Sequence, residues 1–428
     1  MKRLISCVLA LLYVMAGFAS GTWILHGKEY RVDTLYHAYI GPGTTQTSIK
    51  LAGPVNLRVF YTTTDLKNEN VDVRAIKHKD TLTGLGTVSN AAESHSTSNR
   101  SYFAGINADF FSSSMPCGIT VVDGEVYCSD QASGWSLFGI DANKIPYSGG
   151  GDFYVKLTAP DYSTAELSAM NLERGTNGLV LYSSRKGANT GTDSNGSEVV
   201  LIPDGEGNFL TPGATVRMRV QGNPSHAGSM PIPDDGYILS GSGTKESFVS
   251  NLSEGDVVEV RCAIRFNGFT GGKIQQALGG CPMLVSGGKV LDTENALDHL
   301  TSAQPRTAVG YNAEKNKLVM LVADGRSSIS VGPISKVLAD IMIYAGCSEA
   351  MNFDGGGSST FYVKGEGVIN QPSDGSERSV TDGLYLSTDA PQNDVTITTI
   401  RFMDYAKTLN QGDAYTCLLY TSPSPRDS

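Results

Sequence analysis

The chain is poor in positive charge: its 428 residues carry 33 Lys and Arg against 43 Asp and Glu, a net charge of −10, with no basic cluster. Scattered cations leave no electrostatic footprint for a phosphate backbone, so nucleic acid is not expected as a partner. Beyond the N-terminal stretch, no apolar run is long enough for a membrane-spanning helix. Histidine is scarce, and His26, His37, His78, His95, His226 and His299 all fall outside the polar clusters considered below. This disfavours a Ser-His-Asp system, and also a metal-dependent phosphodiesterase, whose two-metal site would draw on imidazole. No Cys-x-x-Cys pair occurs, so a thiolate zinc site is not expected. No cofactor is called for; the one faint calcium-loop pattern, Asp193 to Glu198, lacks the full ligand set and reads as an exposed turn.

What is present begins with Met1-Lys2-Arg3, an apolar core from Leu4 to Phe18, and the small residues Gly17 and Ala19. Residues 1–19 read as a secretory signal peptide, which implies a secreted or periplasmic protein. Cys7 precedes the apolar core, the wrong place for a lipid anchor. In an oxidising compartment Cys117 and Cys128, on either side of the hairpin turn Asp123-Gly124, are expected to form a disulfide. Residues 22–100 form a β-rich segment of the same unit as 101–388; 389–415 reads as a linker or the start of a truncated β domain, and 416–428 as a foreign tail.

Alternating or continuous apolar runs bounded by turn residues recur along the chain, for example 55–61, 198–202, 214–220 and 256–262. Strands in such numbers predict a β-rich α+β or mixed α/β fold with a mixed sheet and few helices. The clearest helix has Ile334, Val337, Leu338, Ile341, Met342 and Ala345 on one face, with Pro333 at its first position and Gly346 at its end. It lies between strands at 318–323 and 350–353, a strand-helix-strand unit expected to cross over into a parallel arrangement. Asp324 and Asp354 each follow a strand's C-terminal end, which brings both carboxylates to one rim. A hairpin through Asn312–Asn316 that pairs Tyr311 with Lys317 would set Arg306 opposite Val322 and its guanidinium close to Asp324. There Arg306 serves either a structural ion pair or an anion site.

The densest signal is Asn352-Phe-Asp-Gly-Gly-Gly-Ser-Ser-Thr-Phe361, with three glycines between a carboxylate and three hydroxyls. Glycine loses the most backbone freedom on folding, so such a run marks a hairpin tip with positive φ or a backbone that a ligand approaches closely. The run lacks the lysine of a nucleotide-binding P-loop. Asn107-Ala108-Asp109 sets a carboxylate inside an apolar run, which is expensive unless that carboxylate is hydrogen-bonded or used.

In order and spacing, Asn107–Phe111, Arg306–Gly310, Val322–Arg326, Asn352–Thr360 and Glu377–Val380 resemble the phosphodiester glycosidase family, which includes N-acetylglucosamine-1-phosphodiester α-N-acetylglucosaminidase and exported bacterial relatives. The resemblance runs from about Tyr30 to Ser387. It implies an enzyme that hydrolyses the C1–O bond of a sugar-1-phosphodiester, with a carbohydrate phosphodiester or glycan as its partner. Asp354, Asp324 and Asp109 become the candidate catalytic carboxylates for an oxocarbenium-like transition state. Arg306 and Arg378 would neutralise phosphate, and Asn107, Gly355, Gly356, Gly357, Ser358, Ser359 and Thr360 would contact substrate. The other class consistent with the sequence is a non-catalytic, glycan-binding surface protein on the same fold.

Overall fold

The computed structural model describes residues 21–130, 135–205, 209–266, 272–293 and 301–389, with short strands at 269–270, 400–402 and 419–421. The signal peptide at 1–19 with Cys7, His299, Cys417 and most of 390–428 lie outside the described residues. Within 389–415, Ile400–Phe402 is described, paired antiparallel with Leu419–Thr421. Among the described residues no helix is long and apolar enough to cross a membrane.

The protein is built from β-sheets with few helices. A nine-stranded sheet runs in the order 21–25, 28–41, 44–52, 56–65, 317–323, 306–311, 349–352, 283–286, 289–290. Its inner strands show why the sequence carries continuous apolar runs rather than alternation. Along Lys317–Ala323, Leu318, Met320 and Val322 enter the core shared with a facing five-stranded sheet. The intervening Val319, Leu321 and Ala323 pack beneath the helix Ser335–Tyr344. Burial on both faces removes the need for polar residues at either parity. The facing sheet is ordered 367–368, 361–363, 101–107, 382–388, 72–77.

Between residues 151 and 270 a second nine-stranded sheet forms, with a core of its own including Leu181, Leu201, Met218, Leu239 and Val260. A five-stranded sheet of 125–128, 120–122, 274–280, 136–141 and 146–149 adds Val121, Val126, Leu137 and Ala277 to that core, and Phe138, Ile140 and Leu278 to the first.

Three expectations need correction. The strands 317–323 and 349–352 do run the same way, but 306–311 lies between them and pairs antiparallel with both. Among the described residues the one parallel pair is Ala169–Met170 with Leu179–Ser183. Arg306 pairs with Ala323 and Tyr311 with Leu318, one residue away from the expected register. The Asn312 side chain accepts from the amides of Asn316 and Lys317, and Lys315 takes φ +54, so the turn absorbs one more residue. Cys117 and Cys128 are both free thiols. Cys128 faces Thr120 at a bulge, and Cys117, before that strand, instead donates its amide to the Phe110 carbonyl. The helix forms at 335–344 with Gly346, φ +98, beyond its end, but it starts later than expected: Ile334 is its extended cap and Pro333 precedes it rather than opening the first turn.

Candidate active site

The strand Arg306–Tyr311 starts at the sheet edge where 317–323 and 349–352 end, which collects Arg306, Asp324 and Asp354 at one rim. A second strand, Ser101–Asn107 of the facing sheet, ends there as well. Asn107 ties the two layers together. Its Nδ2 donates to the Asp354 carbonyl at 2.7 Å, and its Oδ1 accepts from Thr307 Oγ1 at 2.7 Å and the Thr360 amide at 3.1 Å. The Asp354 amide donates to the Ala108 carbonyl at 2.8 Å.

These bonds leave a cleft of about 190 Å³ lined by Phe110, Gln304, Arg306, Arg326, Asp354, Gly355, Gly356, Gly357 and Arg378. Each glycine is required for its own reason. A Cβ on Gly355 would press on the Pro305 carbonyl, one on Gly357 would overlap the Arg378 guanidinium and the Asp374 carboxylate, and Gly356 has φ +62 beneath Arg326. The run is thus a floor over which guanidinium groups lie close to the backbone.

Three arginines and one carboxylate line this cleft. Arg306 is buried, donates Nη2 to the Ser302 carbonyl, and keeps its Nε without a protein partner among the described residues. Burial and the nearby Arg326 lower its pKa to about 10, with Asp354 opposing. Arg326 stands in the left-handed region at φ +58 and donates Nε to Gln304 Oε1 at 2.7 Å. A bulky residue held there is strained, a cost that persists where surrounding structure imposes it. Arg378 pairs with Asp374 at 2.6 Å and reaches Ser358 Oγ at 3.4 Å. Burial lifts the Asp354 carboxyl to about 6, against hydrogen bonds from Ser358 and the Gly355 amide and the charge of Arg378.

The other candidate residues stand behind this surface. Asp324 does not line the cleft: Oδ1 accepts from the Gln371 amide at 2.8 Å and Asn370 Nδ2 at 3.4 Å, and burial raises its pKa to about 6. The charge neighbours of Arg306 are Arg326 and Asp354 rather than Asp324, because Asp324 turns to the 370–371 loop. Asp109 is also buried; Oδ2 accepts from the Gly279 amide at 3.3 Å, and Oδ1 has no partner among the described residues. A Cβ on Gly118 or Gly279 would run into its carboxyl. Burial and the adjacent Asp382 raise the Asp109 pKa well above the usual range. Asn107, Ser358, Ser359 and Thr360 are buried, and their described bonds hold the loop to its neighbours.

Residues 213–387 match the sequence profile of the phosphodiester glycosidase family. This stretch is a phosphodiester glycosidase domain. Over 88 residues the chain is 40% identical to the SPbeta prophage-derived uncharacterized protein YomE of Bacillus subtilis; the match spans 21% of this chain and only 13% of that protein. Two crystal structures share the fold. A "Putative exported protein" from Burkholderia pseudomallei K96243 is 18% identical with a TM-score of 0.63, over 86% of this chain and 98% of that one. A hypothetical protein from Synechocystis is 16% identical with a TM-score of 0.62, over 81% of this chain and 62% of that one.

The matched stretch supplies Gln304, the three arginines and Asp354, whereas Asn107 ends the strand upstream and Asp109 and Phe110 follow it. Sequence reasoning assigned no role to Arg326, Gln304 or Phe110, although Arg326 and Phe110 stood inside quoted motifs. It also missed Asp382 and Lys77, both buried beside Asp109. Lys77 closes the strand Asp72–Lys77, but Arg74 and Lys79 beside it leave no local sign that this cation is the buried one. In the faint calcium-loop pattern Asp193 pairs with Arg174, and Glu198 accepts from Thr190, Thr192 and the Met230 amide.

Proposed function

We propose that the chain hydrolyses the glycosidic C–O bond of sugar-1-phosphodiesters, α-linked N-acetylglucosaminyl phosphodiesters being the first to test, and that it does so after export. The observation carrying this reading is the enclosure of one raised-pKa carboxylate, Asp354, in the same cleft as Arg306, Arg326 and Arg378. A phosphodiester bears one negative charge, and cleavage at C1 delivers the bonding electron pair to the phosphate oxygen. The guanidinium groups meet that developing charge as fixed donors, Arg306 from a buried position and Arg326 and Arg378 from the open side of the cleft. A leaving group so stabilised needs no strong acid.

Asp354, ionised above about pH 6, faces the oxocarbenium-like C1. It then either bonds C1 to give a glycosyl intermediate that water hydrolyses, or takes the proton of the attacking water. Asp109 and Asp324 act on this reading by shaping the site: Asp109 beneath the loop, Asp324 by anchoring residues 370–371.

The test is product analysis of the purified protein on UDP-N-acetylglucosamine and an α-N-acetylglucosaminyl phosphodiester in oxygen-18 water, beside Asp354→Asn. The expected label is on the sugar hydroxyl, lost with the variant. Label on phosphate would replace the reading with P–O cleavage, and saturable binding without turnover would make the protein a glycan binder.

A further inference from the structure

The geometry points to Phe110, braced by Trp135 and accompanied by the Gln304 amide, as the subsite that receives the pyranose ring of the ligand. This inference deepens the glycosidase reading and rests on it for the position of the phosphate. If the phosphate lies among the guanidinium groups and C1 lies at Asp354, the sugar ring must occupy what remains of the cleft. Of the lining residues that are described, only Phe110 presents an apolar side chain. A pyranose has a C–H face that loses little on leaving water and gains by covering an aromatic ring, while its rim of hydroxyls needs hydrogen-bond partners.

Phe110 is suited to that task. It follows the strand Ser101–Asn107, its carbonyl is held by the Cys117 amide at 2.8 Å, and it is partly buried. Trp135 packs against it edge to face, with ring centroids 4.9 Å apart, so the ring has little freedom left to lose when a ligand covers it. Gln304 supplies the polar complement. Its Oε1 accepts from Arg326, which turns the Nε2 donor pair away from the guanidinium, where it can meet a ring hydroxyl or an acetamido carbonyl. The side chain that steadies Arg326 thereby reads the sugar, coupling phosphate and sugar recognition through one amide.

The chain has two tryptophans, and the second, Trp23, stacks on Tyr344 at the end of the 335–344 helix. In a full-length Trp23→Phe protein also carrying Asp354→Asn to prevent turnover, emission reports Trp135. N-acetylglucosamine 1-phosphate is expected to change that emission saturably, and inorganic phosphate to compete for the site. Phe110→Ala should weaken the sugar phosphate about tenfold, the scale of one aromatic contact, and leave inorganic phosphate affinity unchanged. Phe110→Leu, which keeps the packing volume, stands in if the alanine variant does not fold. Equal weakening of both ligands, or of neither, would overturn the assignment. In the protein with Asp354 intact, turnover with an unchanged KM in Phe110→Leu would sink the subsite and leave the glycosidase reading standing. Saturable, Phe110-dependent sugar phosphate binding without turnover would do the reverse.

Discussion

The amide of Asp109 donates to Oδ1 of Asp382 at 2.9 Å, and both side chains are buried. Lys77, the cross-strand partner of Asp382, is buried with them and donates Nζ to the Thr381 carbonyl at 3.1 Å. One ammonium thus serves two carboxyls. Burial raises the pKa of both acids and lowers that of Lys77, while the Lys77 charge holds Asp382 down. Removing the cation should leave the carboxyl pair uncompensated, so Lys77→Met is expected to destabilise the fold by about 3–5 kcal/mol in urea titration. Adding Asp382→Asn should restore part of that loss. A double variant as unstable as the sum of the singles would show that the two groups do not interact.

Asp354 and Asp324 have pKa values raised to about 6. An unfolded aspartate titrates near roughly 3.9, so between those values the folded protein holds protons that the unfolded chain has released. The contribution of each group is therefore most favourable below about pH 4 and is lost as pH rises to about 6. Asp354→Asn should remove its share of this slope and be about 1–3 kcal/mol more stable than the parent at pH 7. Equal pH dependence in the two proteins would contradict the buried, raised carboxyl.

The same titration bears on catalysis with the opposite sign. If Asp354 works ionised, kcat/KM should fall as pH drops below about 6, and Asp354→Asn should cost on the order of 10²–10⁴ in kcat. Asp324→Ala should behave differently: its bonds to residues 370 and 371 make it a stability residue, worth about 1–3 kcal/mol in denaturant titration. A loss of activity without loss of stability in Asp324→Ala would return that residue to the reaction.

Neighbouring glycines should give opposite phenotypes. In Gly355→Ala the new Cβ meets the Pro305 carbonyl, a backbone group that cannot move aside, so the cost should fall on stability, about 1–3 kcal/mol. In Gly357→Ala it meets the mobile ends of Arg378 and Asp374. On the proposed function, the melting temperature should hold while kcat/KM drops by about tenfold to a hundredfold, because a cation proposed to meet the phosphate has been displaced. Thermal melts and kinetics on the two variants separate these outcomes.

The sequence by itself determined the local elements. The apolar run at 318–323 had to be a strand, the spacing from Ile334 to Ala345 had to be a helix, and the triple glycine marked either positive φ or a close approach to the backbone; Gly356 takes positive φ, and at Gly356 and Gly357 side chains of this chain, Arg326 and Arg378, lie against it. These follow from side-chain periodicity and backbone sterics, which act over a few residues. Only the tertiary structure decided the division of labour among similar groups. Asp109, Asp324 and Asp354 each follow an apolar run, yet one meets a glycine wall, one a loop amide and one the cleft. Their roles depend on partners such as Asn107, which bonds to a carbonyl 247 residues away. No local pattern encodes such a pairing, because the register of distant strands sets which side chains converge and which are walled off from water.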